Sequence, residues 1–347
     1  MNISVTEENL LISVIVAFVL AMIISAALTP LSIIIANKIG AIDVPIDERR
    51  MHKRPVPRFG GMAIYIASTA VMFFYENKDP MIHSAIIGGT LIYLLGAIDD
   101  MIQLKAWMKF VGQLMIAVLM YSMGIKIAFV SNYFGSGNVK FGVGVSFLIT
   151  VFWIVGVTNA INLMDGLDGL AAGISMIIAI ILAYVAYIHG NNGIIPVCIS
   201  LMAIAGACMG FLPYNFSPAK TFMGDGGALY LGFMISILSV ISPLKRATFI
   251  AALVPIMAIA IPILDTLFAI LRRAIKHEKI MSPDKGHIHH RIIEAGFGHR
   301  RSVLIIYGIV ANMGMAAVMI SRELYKEAIV LVIISILYLV VILAKKK

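Results

Sequence analysis

Apolar runs, most of them close to bilayer thickness, alternate with short polar joints along the chain. They fall near 10–36, 61–75, 82–98, 108–125, 144–161, 169–188, 194–212, 227–242, 247–271, 303–320 and 327–344. About 20 apolar residues span a hydrocarbon core as a helix. The pattern therefore predicts an all-α polytopic integral membrane protein with ten to eleven transmembrane helices. The run at 10–36 has no basic residue before it and is too long for a signal-peptide core, so it is read as a retained first span. The joint at 126–143 carries Ser131-Asn132-Tyr133 and Gly135-Ser136-Gly137-Asn138, turn residues that predict a short β-hairpin. No polar stretch is long enough for a separate soluble domain, so residues 1–347 are read as one membrane domain. No repeat with the period of a solenoid is present.

Composition sharpens this picture. Of 347 residues, 61% are hydrophobic and 13% charged, more apolar than a soluble fold needs. The net charge of +9 is unevenly placed. Lys and Arg crowd 38–58, 272–301 and the tail Lys345-Lys346-Lys347. With eleven crossings and the N-terminus outside, all three clusters face the cytoplasm. Of the 27 Lys and Arg, seven fall outside: Lys78, Lys126, Lys140, Lys245, Arg246, Arg322 and Lys326. The hairpin then lies in an external loop. The basic excess reads as topology and contact with anionic lipid or substrate. No aromatic-basic motif suggests nucleic acid. Cys198 and Cys208 sit in one apolar run, roughly 15 Å apart along a helix, too far for a disulfide. Both read as packing residues.

Against this apolar background the polar clusters stand out, because ionisable groups at membrane depth are costly and usually mark a site. Asn159, Asn162, Asp165 and Asp168 recur every third residue, with Gly166 and Gly169 leaving room for a ligand. A helix cap would account for Asp168 alone. Asp99-Asp100 ends the third run, where acids oppose the helix dipole, so a cation or proton between them is expected. Lys109 follows nine residues after Asp100; snorkelling at the membrane surface is its default reading, and a turn back toward Asp100 is the alternative. Asp225, in Met223-Gly224-Asp225-Gly226-Gly227, precedes a helix as either a cap or a Mg²⁺ ligand beside a bound anion. Asn215 lies between Pro213 and Pro218, as a turn residue would. His287-Ile288-His289-His290-Arg291 reads as a cationic cradle for phosphates more readily than as a zinc site, since no Cys is near. His52 lies in the basic loop Arg49 to Gly61. Asp265, near Arg272-Arg273, is assigned to internal pairing. The topology puts the acid, amide and histidine clusters on one side of the membrane. Carboxylates for a divalent cation, cations for phosphates and a membrane-surface location suggest phosphoryl transfer between a soluble and a lipid substrate. A cation-coupled transporter is the other class, but no internal repeat or midplane broken helix supports it.

These motifs also resemble a known family. Pro55-Val56-Pro57 with Gly60-Gly61, Asp99-Asp100, Asn159 to Gly169, Met223-Gly224-Asp225 and His287-Ile288-His289-His290-Arg291 stand in the order found in the polyprenyl-phosphate N-acetylhexosamine-1-phosphate transferases. The resemblance covers nearly the whole chain. It implies that undecaprenyl phosphate attacks the β-phosphorus of UDP-N-acetylglucosamine, releasing UMP and leaving undecaprenyl-diphospho-N-acetylglucosamine in the plasma membrane. Such a product starts a cell-envelope polysaccharide such as teichoic acid or O-antigen. By the same resemblance Asp225 and Asn162 look like Mg²⁺ ligands, with Mn²⁺ as a substitute ion. Asp99 and Asp100 match the catalytic pair that activates or orients the lipid phosphate. Asp165 and Asp168, grouped with them as catalytic acids, match positions at the nucleotide pocket. Lys109, His287 and His289 match cationic positions around phosphates and sugar. His290, Arg291, His52 and Asn159 join them as substrate-binding candidates, and Asn215 looks like a pocket-wall residue. Ile288 interrupts the histidines, unlike the peptidoglycan branch, so phospho-N-acetylmuramoyl-pentapeptide transfer is the runner-up. A homodimer is compatible with this reading.

Overall fold

A computed structural model of the protein describes residues 10–44, 54–76, 79–131, 138–189, 195–241, 292–293 and 295–344. Ten of the eleven expected runs form helices there: α1 Leu10–Ile39, α2 Gly61–Glu76, α3 Pro80–Ile102, α4 Ala106–Ser122, α5 Val143–Met164, α6 Leu170–His189, α7 Ile195–Asn215, α8 Gly224–Ile241, α9 His299–Ser321 and α10 Tyr325–Ala344. The expected span at 247–271, with Asp265, lies outside the described residues. Eight of the helices are long and apolar enough to cross a membrane, while α2 and α4 are shorter apolar helices. The chain is a multi-pass membrane protein.

Several helices run further than the apolar runs suggested, and the extensions carry the polar motifs. α3 continues through Asp99-Asp100 to Ile102, α5 takes in Asn159 and Asn162, and α8 starts before Asp225. Hydropathy ends a span where polar residues begin. The backbone continues because those polar side chains find partners on neighbouring helices.

The expected hairpin is present as β3 Phe129–Ser131 and β4 Asn138–Lys140, paired antiparallel with Val130 opposite Val139. A second two-stranded sheet pairs β1 Ile42–Asp43 with β2 Val56–Pro57. The hairpin joins the end of α4 to the start of α5, and β1–β2 joins α1 to α2, so the two sheets occupy opposite ends of the bundle.

α8 is buried along nearly its whole length, against α3 on one side and α5 on the other. α7 packs on α1, where Ala17, Ala21, Ser25, Thr29, Ser32 and Ala36 form a fully buried stripe of small residues. In lipid there is little hydrophobic drive between helices, so close backbone packing has to supply the attraction. The same economy of volume brings α8 to the site. A Cβ on Gly61 would lie 2.4 Å from Gly227 Cα, and one on Gly96 would lie 2.6 Å from the Asp225 carbonyl.

Gly96→Ala should therefore push α8 off α3 and lower the thermal midpoint in detergent, at a cost of about 1–3 kcal/mol as overpacking usually exacts. Gly156→Ala in α5, where an added Cβ meets nothing within 4 Å, should leave the midpoint unchanged or raised. Equal midpoints for the two variants would contradict this packing.

Candidate active site

At the end of the bundle that carries β1–β2, the C-terminal turns of α3 and α5 meet the N-termini of α4 and α8. Each end delivers a polar side chain. Asp99 and Asp100 come from α3, Lys109 from α4, Asn159 and Asn162 from α5, and Asp225 from the first turn of α8. The loop before α2 adds Arg58. Backbone bonds fix that loop: Phe222 N–H donates to Pro57 O at 2.8 Å, Gly60 N–H to Phe222 O at 2.9 Å and Gly61 N–H to Met223 O at 2.8 Å.

The adjacent acids point to different partners. Asp99 accepts the Leu104 N–H at 2.7 Å through Oδ1 and pairs through Oδ2 with Lys109 Nζ at 2.9 Å. Asp100, with a side chain only 1% exposed, accepts the Asp225 N–H at 2.8 Å and the Gly226 N–H at 2.9 Å. It thus caps α8 from another helix, where a carboxylate meets free amides and the positive dipole end. Arg58 Nε adds a pair at 3.0 Å. Gly224 precedes these amides with φ +73°, and a Cβ there would lie 2.5 Å from Asp100 Oδ2.

Asp225 is equally engaged. Its Oδ1 accepts Asn162 Nδ2 at 2.7 Å, and its Oδ2 meets Arg58 Nη2 at 3.0 Å and Lys109 Nζ at 3.3 Å. Lys109 does turn back from α4, to Asp99 and Asp225 rather than to Asp100. Burial opposes the Arg58 charge, but Asp100, Asp225, Asp165 and Asp99 outweigh it and raise the guanidinium pKa.

The every-third-residue stripe breaks at Met164, where α5 ends, and the turn 165–169 sends Asp165 and Asp168 apart. The Asp165 carboxylate makes no hydrogen bond among the described residues. Burial raises its pKa well above the ordinary carboxylate range; the Asp225 charge adds to this, Arg58 opposes it, and Asp100 and Asp168 add again. Asp168 instead ties two turns together: Oδ2 accepts the Ala219 N–H at 3.1 Å, and its own N–H donates to His299 Nε2 at 3.1 Å. Asn215, the last residue of α7 and almost fully buried, accepts the Gly169 N–H at 3.0 Å and donates to Thr221 O at 3.0 Å. It braces the turns from behind. Asn159 sits a turn deeper than Asn162 and exchanges amide hydrogen bonds with Gln113 of α4. His52, His287, His289, His290 and Arg291 lie outside the described residues.

Five residues here were not among the sequence candidates. Arg58 was one of six basic residues in its loop and had no distinguishing signal. Gln113 lies one turn after Lys109 on an apolar helix, and a buried amide there was the clue. His299 and Arg300 start α9; Arg300 Nε donates to Ser217 O at 2.6 Å, and Tyr307 OH donates to Gly169 O. Together they hold α9 against the turns 165–169 and 216–221.

Comparison with known proteins fits this cluster. Residues 82–243 match Glycosyl transferase family 4. A probable undecaprenyl-phosphate N-acetylglucosaminyl 1-phosphate transferase of Bacillus subtilis is 40% identical over 336 residues, 96% of this chain and 92% of the relative. The chain belongs to glycosyl transferase family 4. A decaprenyl-phosphate N-acetylglucosaminephosphotransferase of Mycolicibacterium smegmatis is 36% identical over 80% of this chain and 75% of its own length. A phospho-N-acetylmuramoyl-pentapeptide-transferase of Staphylococcus saprophyticus matches at 35% over only 56% of this chain and 64% of its own length. The matched family segment carries α3 to α8, and with them every sequence-chosen site residue that the structure describes.

Asp165 supplies a pH test. A carboxyl whose folded pKa is raised contributes stability below its unfolded value and loses it as pH rises through the folded value. Asp165→Asn, with no metal or substrate present, should therefore exceed the wild-type thermal midpoint at about pH 8 and lose that advantage near about pH 4, where the unfolded carboxyl titrates. A variant less stable at the higher pH would show that Asp165 is held by an unrecognised partner.

Proposed function

We propose that this family 4 protein transfers N-acetylglucosamine 1-phosphate from UDP-N-acetylglucosamine to undecaprenyl phosphate. A phosphate oxygen of the lipid attacks the β-phosphorus of the nucleotide sugar, the bond to the UMP oxygen breaks, and UMP leaves with the electron pair. One observation carries the reading. The chain aligns along 96% of its length with a probable undecaprenyl-phosphate N-acetylglucosaminyl 1-phosphate transferase, and Asp99, Asp100, Asn162 and Asp225 meet at one end of the bundle. The Lys and Arg bias makes that end cytoplasmic, in the plasma membrane, where nucleotide sugars are found. Teichoic acid or O-antigen synthesis would consume such a product. The partial match to the pentapeptide transferase leaves lipid I synthesis as the second reading.

The residues suit a magnesium ion. Asp99, Asp100, Asp165 and Asp225 outnumber Arg58 and Lys109, and the available donors are oxygens and amides. No three His, Cys, Asp or Glu among the described residues make a ready cage, and magnesium usually takes one or two carboxylates with phosphate oxygens and water. Asp225 and Asn162, already 2.7 Å apart, would hold it, the amide turned to present its oxygen. The ion would neutralise charge on the diphosphate. The protein's own groups would do the rest. Lys109 holds Asp99 at the lipid side, where the carboxylate orients the attacking phosphate. Asp100 fixes the first turn of α8, and with it Asp225. Asp165 and Asp168 face the nucleotide, on turns braced by Asn215 and α9.

Purified protein given undecaprenyl phosphate, Mg²⁺ and a panel of UDP-sugars should release UMP with UDP-N-acetylglucosamine. Turnover with UDP-N-acetylmuramoyl-pentapeptide alone would move the chain to the second reading. Asp225→Asn should lower kcat by about 10²-fold or more, the usual cost of losing a group that stabilises transition-state charge. Near-normal kcat in limiting Mg²⁺ would overturn the Asp225 assignment.

A further inference from the structure

Arg58 has a placement that loop anchoring does not require. Three backbone hydrogen bonds already fasten residues 57–61 to residues 222–223. From that fixed base the side edge of the guanidinium spans two carboxylates on two helices, Nε on Asp100 Oδ1 and Nη2 on Asp225 Oδ2, each at 3.0 Å. Lys109 Nζ shares the same Asp225 oxygen at 3.3 Å, and Asn162 holds the other. Asp225 thus carries two cations and an amide on its two oxygens. A divalent ion approaching that carboxylate meets two positive charges in its way. Arg58 Nη1 makes no hydrogen bond among the described residues, and its side chain is about one-third exposed, at 31%.

We propose that Arg58 is the resident counter-ion of the acid cluster. With no substrate it occupies Asp225. When a metal–diphosphate arrives it releases Asp225, keeps Asp100, and donates through the freed Nη2 and through Nη1 to a diphosphate oxygen. The planar fork suits both states, since a guanidinium pairs with carboxylate and phosphate alike. The exchange keeps the charge balanced, because the metal replaces the arginine on Asp225 and the arginine follows the anion that came with the metal. A bare divalent cation brings no such anion, so it binds weakly until nucleotide accompanies it. This inference rests on the proposed function, with its metal at Asp225.

The test is Mn²⁺ binding to the full-length protein in detergent, read by electron paramagnetic resonance without turnover. Wild type should bind Mn²⁺ alone weakly and at least about tenfold more tightly with UDP-N-acetylglucosamine, because the ion alone must evict a charge a few ångströms away. Arg58→Gln should bind Mn²⁺ alone about tenfold more tightly than wild type, by the same Coulomb term. It should also gain less from added nucleotide. Arg58→Lys, which keeps the charge, should stay near wild type. An anchoring role for Arg58 would leave Mn²⁺ affinity unchanged or weakened in Arg58→Gln, and that result overturns the proposal. Should Arg58→Gln not fold, the wild type alone decides, since Mn²⁺ affinity independent of nucleotide also overturns it. Asp225→Asn run beside them separates the two layers. Mn²⁺ lost in Asp225→Asn but unmoved in Arg58→Gln refutes the counter-ion alone. Mn²⁺ unaffected by Asp225→Asn refutes the metal site from which it starts.

Discussion

The site depends on one contact, the Asp100 carboxylate on the Asp225 and Gly226 amides at 2.8 and 2.9 Å. A carboxylate buried at the end of an apolar bundle needs donors on both oxygens. A buried helix N-terminus needs acceptors for its free amides. Each answers the other's need, and the match fixes where α8 begins relative to α3. Everything carried on the first turn of α8 follows from it. Asp225 is aimed at Asn162 and Lys109 because Asp100 holds the backbone beneath it, and Arg58 spans the two acids because they are held side by side.

That contact is reached only because side chains are absent where the backbones meet. Gly96 lets α3 lie against the Asp225 carbonyl, Gly61 lets α2 lie against Gly227, and Gly224 takes the left-handed turn that points the amides at Asp100. The glycines in Met223-Gly224-Asp225-Gly226-Gly227 therefore serve packing. The opposite face of the site is held by a different set of bonds. Asn215, Asp168 and α9 clamp the turns 165–169 and 216–221, so Asp99 and Asp100 on one side and Asp165 and Asp168 on the other stand on separate supports.

Much of this was legible in the sequence, for a physical reason. Apolar length marks a span regardless of what it packs against, so ten of the expected helices are present, and turn residues marked the β3–β4 hairpin. Acids and amides at the ends of apolar runs flagged Asp99, Asp100, Asn162, Asp165 and Asp225, since such groups are costly at membrane depth. What the sequence could not reveal was pairing. Asp100 looked like an unfavourable end to α3, and only the approach of α8 makes it a favourable cap. Arg58 was indistinguishable from its basic neighbours until its loop was seen fastened to residues 222–223. Asn159 and Asn162 shared one stripe, yet Gln113 takes the first into the bundle while Asp225 takes the second to the site. Helix ends were also misjudged, because hydropathy ends a span at the polar residues that the last turns carry.

The contact between Asp100 and α8 can be measured directly. Amide hydrogen exchange across residues 222–230 should be slow in the wild type and should quicken locally in Asp100→Ala, with exchange in α6 and α7 unchanged. The Asp225 and Gly226 amides should show the largest change, since they lose their acceptor. Unchanged exchange at those two amides would contradict the account, because α8 would then be held in place by something other than Asp100.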